Sequence, residues 1–432
     1  MNRRLRSMAL GAGGLSAGAW LLVAGPALAQ VDLLSPAVVS VQGDVRLSAT
    51  DGEPSWLQNG FGKTRYGGTG RAQGNGWTSR LQLASADVIW RPALAFDLTG
   101  YVDAVYQPVK DSPVDLSEAF LQYKPLPRAD GWRWQARAGL MYPPASLEND
   151  GPGWTPTRTI TPSAINSWLG EEVKTIAIEG RVARRWGDQE LSAGGAIFTH
   201  DDTSGTLLSW RGWMFSDLRS TLSGETLIPQ VPAAHKPFFV QDYDSRAITE
   251  LDNRPGVYAW GEWRSPFGVT ANLFYYDNAG DRTTVNVVTG QWSWDTRFWN
   301  LGLRYAPDAK TEVLAQAMTG RTVTGFLIPG KGWRVDADFD AAYLLASRKL
   351  GKDMITGRVD WFDVRDATWQ SLDNNDERGW SLTADWRRPI GDHLSVLMEV
   401  AHVESDRPSR AYVGDATRQS QTMVQTALKV AF

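Results

Sequence analysis

Apolar and polar residues alternate along most of this chain with a period of two, the period of a strand whose faces meet different surroundings. The pattern is clearest at 39–49, where Val39, Val41, Val45 and Leu47 share one face and Ser40, Gln42, Asp44, Arg46 and Ser48 the other. It returns at 132–142, with Trp132, Trp134, Ala136, Ala138 and Leu140 set against Arg133, Gln135 and Arg137. At 172–184, Ile176, Ile178 and Val182 oppose Thr175, Glu179 and Arg181. At 335–349, Val335, Ala337, Phe339, Ala341 and Tyr343 oppose Asp336, Asp338 and Asp340. Read throughout, the alternation predicts about sixteen strands, near 39–49, 78–91, 93–107, 115–125, 132–142, 172–184, 190–200, 255–265, 267–277, 294–306, 310–320, 335–349, 353–364, 378–388, 392–404 and 420–432.

The gaps between these strands decide the architecture. Every second gap is a short turn rich in Pro, Gly and Asp, such as Arg91-Pro92, Ser265-Pro266, Pro307-Asp308 and Pro389-Ile390-Gly391-Asp392. Nearly all the others are longer, the longest being 142–172 and 200–255. Alternation of short turns with long loops is the layout of an all-β, transmembrane antiparallel β-barrel, with periplasmic turns and external loops. Fourteen strands stay open as a count, and so do eighteen, because 200–255 or 49–78 has room for a further pair. On this reading the apolar faces meet lipid and the charged faces, Asp336, Asp338 and Asp340 included, meet an aqueous lumen.

The ends of the chain agree with export. Arg3, Arg4 and Arg6 precede an apolar stretch that closes on Ala27-Leu28-Ala29, which predicts a signal peptide over 1–29 and a mature barrel over 30–432. The last strand alternates Val424, Thr426, Leu428 and Val430 with polar or small residues up to Phe432, and resembles the terminal strand that barrel assembly machinery reads. The expected location is therefore the outer membrane of a Gram-negative cell, in contact with outer-membrane lipid and lipopolysaccharide. Loss of 1–29 leaves 41 basic and 48 acidic residues, an acidic balance that excludes a nucleic-acid partner. With no cysteine there is no thiol chemistry, and the four histidines, His200, His235, His393 and His402, show no metal-ligand spacing, so no cofactor and no metal are expected. An outer-membrane hydrolase would need Ser and His together, and neither His402 with Ser405 nor His200 with Ser204 lies in a nucleophile motif. The chain is read as not an enzyme.

The 142–172 loop carries the functional expectation. It follows the fifth strand and is stiffened by Pro143, Pro144, Gly151, Pro152 and Gly153, which suits a loop folded into the lumen as a constriction. The segment Gly139-Leu-Met-Tyr-Pro-Pro-Ala-Ser-Leu-Glu148, following Arg133-x-x-x-Arg137, resembles phosphate-selective porins of the O/P type, as does Glu118-Ala-Phe-Leu-Gln-Tyr123. The resemblance implies a sixteen-stranded homotrimeric channel passing small hydrophilic solutes, anions such as phosphate among them, selected by rows of arginine and lysine. This chain departs from that pattern in the loop, where Glu148, Asp150, Glu171 and Glu172 stand against Arg158. The pore and constriction candidates are accordingly Arg133, Arg137, Glu148, Asp150, Arg158, Glu171, Glu172, Arg46, Asp336, Asp338 and Asp340. The alternative is a non-conducting structural or adhesin-type barrel. The aromatic run Leu207–Phe215 within 200–255 is expected to pack within its own external loop.

Overall fold

The computed structural model describes residues 34–432 apart from 233, 234, 237, 238 and 371; the segment 1–29, read from the sequence as a signal peptide, and the side chain of His235 lie outside the described residues. Sixteen strands build the wall: β1 (Val39–Thr50), β2 (Thr78–Trp90), β3 (Leu98–Tyr106), β4 (Val114–Tyr123), β5 (Trp132–Met141), β6 (Thr175–Trp186), β7 (Gln189–Thr199), β8 (Gly256–Arg264), β9 (Val269–Asp277), β10 (Asp295–Tyr305), β11 (Thr311–Thr324), β12 (Val335–Leu350), β13 (Asp353–Asp366), β14 (Glu377–Pro389), β15 (Leu394–Asp406) and β16 (Arg418–Ala431). Each pairs antiparallel with its neighbours in sequence, and β1 closes on β16 from Gln42↔Ala431 to Thr50↔Met423. Closure pairs the backbone of every strand and leaves no open edge, the condition for a sheet to stand in lipid. Two short helices, α1 (Ala164–Glu172) and α2 (Thr206–Trp210), lie in the connections, and no described helix is long and apolar enough to cross a membrane.

Turns of two to eight residues occupy one rim, and all but one of the connections on the other, 107–113, are longer, so the alternation seen in the sequence is the real one. The outward face carries Val41, Val45, Leu47, Leu81, Leu83, Ile178, Ile197, Leu301, Leu344, Leu382 and Val424, all exposed. Such side chains have nowhere favourable to go in water, and together they form the apolar band a barrel offers to lipid.

Strand β12 reverses the sequence expectation. Val335, Ala337, Phe339, Ala341 and Tyr343 point inward and are buried, whereas Asp336, Asp338 and Asp340 point outward. The strand runs for 16 residues. About 9–11 tilted residues cross the hydrocarbon layer. Its loop-side half therefore projects beyond the hydrocarbon layer, where the outer face is free to be charged. There the inner face packs on protein rather than on water, which is why it is aromatic. Alternation alone cannot distinguish the two faces when both environments change along one strand.

Candidate functional site

Residues 142–174 leave the loop end of β5 and cross the barrel interior, touching nearly every side of its wall. The Ala145 carbonyl accepts hydrogen bonds from Asn300 of β10 (2.7 Å) and Gln316 of β11 (2.8 Å). Glu148 pairs with Arg358 of β13 at 2.6 Å, with both side chains fully buried. Asp150 accepts from Arg158 at 2.9 and 3.0 Å and from Arg304 of β10 at 2.9 Å, and Arg158 pairs also with Glu312 of β11. On the opposite wall Gln42 of β1 donates to the Pro152 carbonyl (3.0 Å), and Arg387 of β14 to that of Thr157 (2.5 Å). Glu399 of β15 accepts from the Ile160 and Thr161 amides at 2.7 and 3.0 Å.

Helix α1 then rises in the interior. Ser163 caps it by accepting from the Asn166 amide (3.3 Å), and Asp360 of β13 accepts from the Ala164 amide (3.2 Å). Every residue of α1 is buried, so it lacks the polar face of a surface helix. Trp168 meets Phe298 and Phe339 edge-on, each at 5.3 Å between ring centroids, and Trp213 at 6.0 Å. These rings, with Phe215, Phe274, Tyr258, Tyr276 and Phe362, form the largest apolar core of the molecule.

Part of the 200–255 connection also turns inward, contrary to the expectation that Leu207–Phe215 packs within an external loop. Glu172 accepts from the Leu207 amide (2.8 Å) and Glu171 pairs with Arg211. Glu377 of β14 accepts from the Trp213 amide (2.9 Å) and pairs with Lys63. Asp217 takes Arg46 of β1 at 2.8 Å and Arg65 at 3.0 Å, and Arg219 pairs with Asp87 of β2 at 2.6 Å. Glu171, Glu377, Asp217 and Arg219 thus each have an opposite charge beside them, as a low-dielectric interior requires. These segments and the aromatic core around Trp168 occupy much of the interior.

Solvent space is found towards the turn rim. One recess of about 310 Å³ lies under the inward segment, between Trp154–Pro162 and the wall residues Asp44, Arg387 and Lys429. Among the described residues neither Arg387 nor Lys429 has a carboxylate within 4.0 Å. A second recess of about 410 Å³ is lined by Lys124, Arg133, Arg181, Arg264 and Glu190. Three arginines converge there on one carboxylate: Glu190 lies 2.6 Å from Arg133, 3.6 Å from Arg181 and 3.9 Å from Arg264. Arg264 also reaches Glu262 at 2.8 Å, and Arg181 lies over the Trp260 ring.

Of the residues singled out from the sequence, Arg46, Glu148, Asp150, Arg158, Glu171 and Glu172 meet in or against the inward segments. Arg133 and Arg137 face the interior from β5, but Arg137 is neutralised by two 2.8 Å bonds to Glu179, which also accepts from Tyr258 (2.9 Å). Asp336, Asp338 and Asp340 are outside the site: Asp336 pairs with Arg321 at 2.6 Å and Asp340 with Arg365 at 2.6 Å on the outer surface. Asp217, Arg219, Lys429 and Glu190 were not among the residues singled out from the sequence. The aromatic content of Leu207–Phe215 was the one available signal for the second inward segment. His402 faces outward and Ser405 inward, so they form no catalytic pair. Asp202, Glu250 and Asp252 bring three carboxylates within 4.8 Å of one another at the loop rim. Their oxygens are engaged by the amides of Leu251, Asn253 and Asp281 and by Ser293, so the trio reads as a loop closure.

No protein-family model matches the chain, and no curated protein matches it. Solved structures similar to it are outer-membrane proteins. An anion-selective porin from Comamonas acidovorans is 11% identical at a TM-score of 0.52, covering 91% of this chain and 99% of that one. The outer membrane channel DcaP of Acinetobacter baumannii is 10% identical at 0.49, with 92% and 99% covered. A loop-L8 deletion mutant of OmpT, an outer membrane protein of Vibrio cholerae, is 9% identical at 0.49, with 91% and 99% covered. At these identities the likeness is one of fold.

Proposed function

We propose that this chain is an outer-membrane channel of porin type, narrowed by its two inward segments, through which small hydrophilic solutes diffuse with a preference for anions. The observation that carries the reading is the recess in which Arg133, Arg181 and Arg264 converge on Glu190, with Lys124 at its rim. Glu190, with Glu262 beside Arg264 at 2.8 Å, leaves one of the three guanidinium groups and the Lys124 ammonium unbalanced, so the recess holds a net positive field. Low-dielectric walls focus that field onto entering solute. The inward segments occupy much of the interior, which favours a selective channel over a general pore.

The packed core around Trp168 and Trp213 supports a second reading, a barrel that does not conduct. Recording in planar bilayers separates the two. Stepwise conductance, with a reversal potential in a salt gradient displaced towards the anion equilibrium, is the expected result. Correctly folded barrels that insert and give no steps overturn the channel reading and favour the non-conducting barrel. Cation preference overturns the anion assignment alone.

A further inference from the structure

The outer surface above the apolar band is patterned. On the loop-side half of the barrel, Arg297, Arg321, Asp338 and Arg365 lie directly opposite one another on β10 to β13. Asp363, Arg378, Asp406 and Arg418 do the same on β13 to β16. All eight face outward, because the residues flanking them along each strand are the inward ones. Two positions nearer the turns, Trp361 stands opposite Trp380. Two residues along a strand is about 7 Å. Exposed Val359, Leu382 and Val400 continue below the tryptophans. Aromatic residues mark the level where hydrocarbon gives way to polar headgroups. The charged row therefore stands at headgroup height.

Two arginines of this row are firmly held. Arg321 makes two bonds to Asp336 (2.8 and 2.6 Å), and Arg365 pairs with Asp340 and Asp363 at 2.6 and 2.7 Å. Arg378 is different: its one acidic contact, Asp406, is at 4.0 Å, and its side chain is 77% exposed. Arg418 is 78% exposed and touches Glu404 at 3.0 Å. Between these two arginines lies a groove of about 300 Å³, floored by Trp361 and Trp380 and edged by Glu404 and Asp406.

We propose that this groove binds the phosphorylated headgroup of an outer-leaflet lipid, with its acyl chains descending over Trp361, Trp380 and Leu382. Guanidinium groups are matched to phosphate oxygens. Glu404 and Asp406 balance the two arginines, so the groove is neutral and would repel a bare anion at one edge. A phosphate carrying a divalent cation satisfies both edges, since the carboxylates are oxygen ligands for the cation. This inference rests on the outer-membrane placement and not on conduction, and membrane fractionation reports the placement separately.

The test uses full-length protein refolded in detergent without lipid, with purified lipopolysaccharide and magnesium as the probe and native mass spectrometry as the readout. Wild type is expected to retain lipopolysaccharide through washing. Arg378→Gln with Arg418→Gln should weaken retention at least tenfold, as should chelation of magnesium or removal of the lipid phosphates. Arg378→Lys with Arg418→Lys, which keeps the charge, should retain an intermediate amount, and Arg185→Gln at the turn rim should retain the wild-type amount. Folding of each variant is checked by its heat-dependent shift on gels. Equal retention by wild type and the glutamine variant overturns the site. Displacement of the lipid by inorganic phosphate at equal concentration makes it a free-phosphate site and overturns the lipid assignment. Loss of a multimer in the glutamine variant with unchanged lipid retention makes the row a contact between copies, and likewise overturns it.

Discussion

The pair formed by Glu148 and Arg358 should hold the inward segment in place, and Glu148→Ala tests it. The Glu148 carboxylate accepts from Arg358 at 2.6 Å, from the Ser163 amide at 2.9 Å and from Asn166 at 3.0 Å, in a site without solvent. Breaking one side of a buried ion pair costs about 3–5 kcal/mol. The lower end applies, because Arg358 keeps Asp360 at 2.9 Å and the Thr161 and Pro162 carbonyls at 2.7 and 3.0 Å. The strand ladder is untouched, so the cost falls on docking of the segment and not on the barrel. About 3 kcal/mol is somewhat over a hundredfold in the equilibrium between docked and released segment. Hydrogen exchange reads this directly. The Ile160, Thr161, Ser163 and Ala164 amides, which donate to Glu399, Glu148 and Asp360, should lose about two orders of magnitude of protection while the amides of β13 and β15 keep theirs. Replacing both partners with apolar residues, Glu148→Leu with Arg358→Met, should restore most of the protection, since a buried pair is often matched by packing. Unchanged exchange in Glu148→Ala would refute the reasoning and assign the anchoring to Glu399 and Asp360.

Gly212→Ala should release the second inward segment: the residue has φ +81°, and a Cβ there would lie 1.9 Å from a Glu377 oxygen and 2.6 Å from Arg407. A non-glycine residue held there costs about 1–3 kcal/mol before the clash, and faster proteolysis between 205 and 221 with an intact barrel is the expected readout. Combined Arg133→Gln, Arg181→Gln and Arg264→Gln should move the reversal potential towards cations, whereas Arg137→Gln should chiefly destabilise by stranding Glu179; equal selectivity in the triple variant and wild type would contradict the proposed field. Cysteine at Asp338 should react with a water-soluble thiol reagent and cysteine at Phe339 should not, and the reverse would place β12 one residue out of register. Asp202, at the loop rim, has its carboxyl pushed up to about 7 by burial and by the nearby Asp252 and Glu250. The folded form therefore binds the proton more tightly than the released loop, whose carboxyl titrates near 4. Docking of 200–255 should weaken as pH rises from about 4 to about 7 and stay level above, and Asp202→Asn should flatten that profile in pH-dependent proteolysis.

The strands, their order and the closed barrel were legible in the sequence because each follows from local and periodic properties. Val39–Leu47 must turn one face to an apolar surrounding and the other to a polar one, and the turns at Arg91-Pro92 and Pro389–Asp392 permit only antiparallel neighbours. The 142–172 loop was singled out from its proline and glycine content and its place after β5. The facing of β12 was not legible, because Phe339 and Asp338 alternate equally well in either register; only Trp168, brought to Phe339 from the inward segment, decides which side is interior. Nor could the sequence show that Glu148 meets Arg358, 210 positions away, or that Arg133, Arg181 and Arg264 close on Glu190. Such pairings depend on the stagger of sixteen strands and on what fills the barrel, and those are set by tertiary contact. The two environments a strand must satisfy are written in its own residues; the identity of the atoms that supply them is settled only when the barrel closes.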